Sequence, residues 1–130
     1  MAAVLVVEDE KLMSWTLVSS LVKWGYNARP AFNGHEAIEE LRRSGFDIIL
    51  LDYQLPDLNG LQLAHRVRKL QPTAAIVMIT AFQPHELALD QGLVDGYFNK
   101  PLNLQALHRA LQEIAVKRAQ SEDGPQTRQS

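Results

Sequence analysis

The chain has 130 residues, 13 basic against 15 acidic, for a net charge of −2; it is long enough for one domain with a real core and too short for two ordinary ones. That balance excludes the broad basic field that draws nucleic acid or anionic lipid. With no cysteine, disulfides and thiolate metal sites are excluded too.

In chain order, AVLVV (residues 3–7) predicts a first strand. The run meets acids directly afterwards, so it is neither a signal sequence nor a membrane span. A soluble, cytoplasmic protein is expected. Met13, Leu17, Leu21 and Trp24 have helical spacing, and Gly25 follows. YNARPAF (26–32) reads as an edge strand because Pro30 has no N–H to give a neighbour. Asn33 is an N-cap for a helix carrying Ala37, Ile38 and Leu41, with Gly45 near its end. DIILL (47–51) predicts the third strand, Leu63, Val67 and Leu70 the third helix, and AAIVMI (74–79) the fourth strand. Residues 83–92 show weaker periodicity and predict a loosely held fourth helix near Gly92. VDGYF (94–98) predicts a fifth strand, and Asn103 caps a last helix with Leu104, Leu107, Leu111 and Ile114. From Ser121 onward there is no apolar residue, so residues 120–130 are expected to be a frayed polar tail or the start of a linker. Five β-α alternations favour an α/β fold, a parallel sheet with helices on both faces.

The strands share one property at their carboxyl ends. Val7 is followed by Glu8 and Asp9, Leu51 by Asp52, Ile79 by Thr80, and Phe98 by Asn99 and Lys100. In a parallel sheet these ends lie along one edge, where open α/β folds bind their ligands. Three carboxylates, a hydroxyl and an ammonium are therefore expected to converge. Any one alone would pass for a strand-end residue, but four strands would have to coincide. Neighbouring carboxylates repel, and a divalent cation relieves the repulsion. An all-oxygen donor set suits Mg²⁺, which takes one or two carboxylates plus a phosphate oxygen. One carboxylate could then act as nucleophile toward a phosphoryl group, and Asp52 is the best placed because Glu8 and Asp9 come as a metal-holding pair. His35, His65, His85 and His108 are scattered and suggest no second metal site.

VVEDE, LLDYQLPDLNG, MITA and YFNKP, in that order, resemble the receiver domains of bacterial two-component response regulators, the CheY-like family. The likeness covers residues 1–119. It implies a flavodoxin-like sandwich, a five-stranded parallel sheet of order 2-1-3-4-5 flanked by five helices. It further implies that Asp52 accepts a phosphoryl group from a sensor histidine kinase or a phosphotransfer protein. By the same resemblance Glu8, Asp9, Asp52 and the main-chain carbonyl of Gln54 hold Mg²⁺, while Thr80 and Lys100 contact the phosphoryl oxygens. Thr80 and Tyr97 would form the switch, acting on the face of the fourth helix, fifth strand and fifth helix, with phosphorylation-dependent homodimerisation as one output. A cis bond between Lys100 and Pro101 is implied as well. The domain itself would be a phosphoacceptor, taking up and slowly losing the group without being an enzyme in the ordinary sense, and contacting neither nucleic acid nor membrane.

Glu8 stands where many members have Asp, and its longer arm should still reach the metal. Gln54 and Phe82 occupy positions that vary and influence the lifetime of the phosphoryl group. DEKLMSWTL weakly resembles receivers of the NtrC type. Trp15 falls off the apolar stripe of its helix and is expected either to stand half-exposed for a partner or to pack on the last helix. A flavodoxin-like cofactor binder would need a glycine- and hydroxyl-rich phosphate loop in place of EDEK. A haloacid-dehalogenase-type phosphatase would need an Asp where Gln54 stands.

Overall fold

The computed structural model describes residues 2–82 and 92–129, with side chains through residue 120. The strands are β1 (Ala3–Val7), β2 (Asn27–Ala31), β3 (Ile48–Asp52), β4 (Ala75–Thr80) and β5 (Gly96–Asn99). The helices are α1 (Lys11–Lys23), α2 (Gly34–Arg43), α3 (Gly60–Leu70) and α4 (Leu104–Gln129). All strand pairs are parallel, in the order β2-β1-β3-β4-β5. Pro30 lies in β2, at the edge, as its missing donor requires.

Successive strand residues face opposite sides of the sheet, which divides the core in two. Leu5, Val7, Ile49, Leu51, Ile76 and Met78 pack with Ile38, Leu41, Leu63 and Val67 of α2 and α3. Val4, Val6, Ile48, Leu50, Val77 and Ile79 pack with Leu17, Leu21, Leu107 and Leu111 of α1 and α4. Every residue of β3 and β4 is buried, so the aliphatic runs mark strands covered on both faces. Asn33 caps α2 by accepting from the Glu36 N–H, and Asn103 accepts from the Ala106 N–H before α4. A third cap, Asn59 with Gln62 in a reciprocal capping box, opens α3.

Several expectations need correcting, but the fourth helix expected over residues 83–92 is not among them: residues 83–91 lie outside those described, and among the described residues the C-terminal helix is the fourth, α4. That helix continues to Gln129 where an irregular tail was expected. Leu70, expected on the apolar stripe of α3, is exposed at its final turn, and Gly60 and Ala64 join Leu63 and Val67 on the buried face. Trp15 does not pack on the last helix: it is 67% exposed. The aromatic that does is Trp24, stacked on His108 with centroids 4.2 Å apart.

Candidate functional site

Strand register brings the site together. Val7 pairs with Leu51 and Asp52 with Ile79, so Glu8 leaves β1 beside the end of β3. Thr80 pairs with Asn99, which brings Lys100 to the same edge. Carboxylate oxygens of Glu8, Asp9 and Asp52 all lie within 4.8 Å of one another. Asp52 is 4% exposed and Glu8 2%, while Asp9 is exposed.

Burying two carboxylates at the end of aliphatic strands is costly unless they are paired and hydrogen-bonded. Lys100 is the compensating charge. Its Nζ lies 2.8 Å from Asp52 Oδ2 and 3.4 Å from Glu8 Oε1. The remaining Asp52 oxygen accepts from the Gln54 N–H at 3.1 Å, and Glu8 Oε2 accepts from the Glu10 N–H at 3.0 Å. One ammonium for three carboxylates leaves the cluster short of positive charge. Burial, followed by the Asp52 charge, outweighs the Glu10 N–H and Lys100, raising the Glu8 pKa to about 7. Burial pulls Lys100 down, yet its hydrogen bond to Asp52 and the charges of both acids push it above the ordinary lysine range.

Thr80 is buried, and its hydroxyl accepts from the Phe82 N–H at 3.0 Å. Asn99 steadies the same turn by donating to the carbonyls of Thr80 and Phe82, at 3.3 and 2.7 Å. The Phe82 ring meets Tyr53, next to Asp52, edge to face at 5.5 Å. Tyr97 stands apart from the acids. It pairs with Met78 and packs against the α2–α3 side of the core, the face to which alternation also assigns Thr80. Its hydroxyl is buried without a hydrogen-bond partner among the described residues, and burial raises its pKa. The Lys100–Pro101 bond is cis.

The sequence marked Asn99 only as a polar residue at a strand end, and it gave no role to Tyr53 or Asp57. Asp57 sits on the loop after β3 and accepts from the N–H groups of Gly34 and His35, both at 2.9 Å. Its only sequence signal is an acid between turn residues.

This arrangement can hold a divalent cation on oxygen and present a buried carboxylate beside an ammonium. The family model of the response regulator receiver domain matches residues 4–112. The chain belongs to that family. The receiver is 32% identical over 113 residues to the transcriptional regulatory protein ZraR of Salmonella typhimurium, covering 85% of this chain and 25% of ZraR. Its identity to the autoinducer 1 sensor kinase/phosphatase LuxN of Vibrio campbellii is 33% over 109 residues, with 83% of this chain and 13% of LuxN covered. The chain thus spans a quarter or less of the length of these two relatives. The crystal structure of the response regulator protein TrrA from Thermotoga maritima, in complex with Mg(2+)-BeF, is 30% identical with a TM-score of 0.80, covering 88% of this receiver and 99% of TrrA. A CheY-like receiver from Methanospirillum hungatei, 23% identical with a TM-score of 0.87, covers 93% of this chain and 98% of its own and shares the fold. No helix among the described residues of the receiver is long and apolar enough to cross a membrane.

Proposed function

We propose that this receiver takes a phosphoryl group onto Asp52 from a sensor histidine kinase or phosphotransfer protein, and that the modification switches a distant face. The observation that carries this is the burial of Asp52 within 4.8 Å of two further carboxylates and beside one ammonium. The likeness to TrrA, crystallised with Mg(2+)-BeF, supports it. The residues fit Mg²⁺: the donors are all oxygen, and three carboxylates share one lysine. Glu8, Asp9, Asp52 and the Gln54 carbonyl would hold the ion, which when bound supplies charge neutralisation for the phosphoryl oxygens.

Asp52 is the nucleophile. One carboxylate oxygen forms the O–P bond as the N–P bond of the donor phosphohistidine breaks, its electron pair returning to the imidazole nitrogen. Lys100 leaves Asp52 Oδ2 for a phosphoryl oxygen and keeps its charge. Thr80 already accepts a hydrogen bond from Phe82, which leaves its own proton free to donate to the phosphoryl group. That movement opens space on the face where Tyr97 packs, and the buried Tyr97 hydroxyl, without a partner among the described residues, is placed to respond. Moving from one to ninety-nine per cent active requires about 5.5 kcal/mol, more than a neutral hydrogen bond supplies, so the Lys100 ion pair must contribute.

The domain occupies residues 1–119, with 120–130 outside it. The switched face includes β5 and α4; the rest of it, expected on residues 83–92, falls largely outside the described residues. It pairs two copies or engages an effector. The reaction is self-catalysed uptake and slow loss in the cytoplasm, with no nucleic acid or membrane bound by this domain. Incubation with acetyl phosphate and Mg²⁺ should label the parent and leave Asp52→Asn unlabelled. Equal, acid-stable labelling of both would end the assignment.

A further inference from the structure

The loop between β3 and α3 carries Gln54, whose carbonyl the proposed function assigns to the metal, and something must hold that loop in place. At its base, Gln54 and Asn59 form an antiparallel bridge, and the Gly60 N–H donates to the Tyr53 carbonyl at 2.6 Å. At its tip, both Asp57 oxygens are engaged by the first N–H groups of α2, Gly34 to Oδ1 and His35 to Oδ2, each at 2.9 Å. These donors have no partner within the helix, and a carboxylate there also meets the positive end of the helix dipole. Gly34 allows the approach. A Cβ at this position would lie 2.0 Å from Leu58 Cδ2 and 3.2 Å from Asp57 Oδ1. Partial burial pushes the Asp57 carboxyl up, but the N–H groups of Gly34 and His35, joined by those of Asp57 and Leu58, bring it below its ordinary value. The carboxylate is thus held in its charged form.

Capping α2 would not by itself require Asp57, since Asn33 already accepts from the Glu36 N–H at 2.8 Å. The clamp therefore acts on the loop as well as on the helix. We propose that Asp57 is a positioning residue that pins the 53–59 loop to the start of α2, thereby setting the Gln54 carbonyl for the metal and Asp52 for the phosphoryl donor. This deepens the proposed function and rests on its reading of the site. Asp57 touches neither metal nor phosphoryl group; it acts through the rigid turn between them.

The test compares two losses at the same helix end. Asp57→Ala and Asn33→Ala each remove a cap from α2, so both lower the melting temperature. Only Asp57→Ala should weaken Mg²⁺ binding, on the order of tenfold by calorimetric titration, as expected when a supporting group is lost. Without metal, it should also speed amide hydrogen exchange at Gln54 and Leu58. Asp57→Asn keeps an acceptor oxygen and should recover part of the Mg²⁺ affinity. Parent-like Mg²⁺ affinity in Asp57→Ala, or an equal loss in Asn33→Ala, overturns the proposal alone. A parent chain that takes up no Mg²⁺ overturns the site reading itself and the proposal with it.

Discussion

Glu8→Gln should make the metal-free protein more stable at pH 8 and leave it nearly unchanged at pH 4.5. Glu8 is 2% exposed and its pKa is raised from 4.5 to about 7, chiefly by burial and then against the help of Glu10 by the Asp52 charge. The folded state holds a proton that the unfolded state releases between those two values. Stability therefore falls as pH rises through that window, by a ceiling of about 3 kcal/mol at 1.36 kcal/mol per pKa unit. Glutamine escapes the penalty. Its carboxamide oxygen keeps the Glu10 N–H bond of 3.0 Å, but the attraction to Lys100 at 3.4 Å is weakened, so a net gain of about 1–2 kcal/mol is expected. For a domain of this size that is a rise of roughly 4–8 °C. Thermal melts of parent and variant in EDTA at both pH values measure it, and repeating them with Mg²⁺ should close the gap at pH 8, because the ion stabilises the carboxylate more than the amide. A variant that melts lower than the parent at pH 8, or a gain of the same size at pH 4.5, would refute the reasoning.

Phe82→Ala removes the ring that meets Tyr53 edge to face beside Asp52, and the phosphorylated form should lose its group several-fold faster as water gains access; decay as slow as the parent's would count against a shielding role. Thr80→Ala should still bind beryllofluoride with Mg²⁺ but show much smaller NMR shifts at Tyr97, and full-sized shifts there would mean that the signal bypasses Thr80. Gly60→Ala places a Cβ 2.7 Å from Tyr53 Cα and 3.0 Å from the Asp52 carbonyl. Neither backbone atom can move freely, so a loss of about 1–3 kcal/mol is expected in urea melts, and an unchanged midpoint would show that the turn relaxes.

The parallel sheet was legible in the sequence because AVLVV, DIILL and AAIVMI are too continuous for a one-sided strand, and because Pro30 could sit only at an edge. The convergence of Glu8, Asp9, Asp52, Thr80 and Lys100 was legible for a related reason: parallel strands put all their carboxyl ends on one side, so polar residues ending several runs must meet. Local signals also sufficed for the caps at Asn33 and Asn103. What lay beyond the sequence depends on which side chains meet across elements. Helical spacing separates Trp24, on the apolar stripe, from Trp15, off it, but not what each one meets: Trp15 faces solvent and Trp24, at the C-cap of α1, stacks on His108 of α4, a partner that only the packing of two distant helices decides. The pairing of Lys100 with Asp52 and Glu8 follows from strand register over 48 and 92 residues of separation. Asp57 is the plainest case. In sequence it is one acid in a turn, and its partners lie 22 and 23 residues earlier, so its role exists only once α2 has been set beside the loop that follows β3.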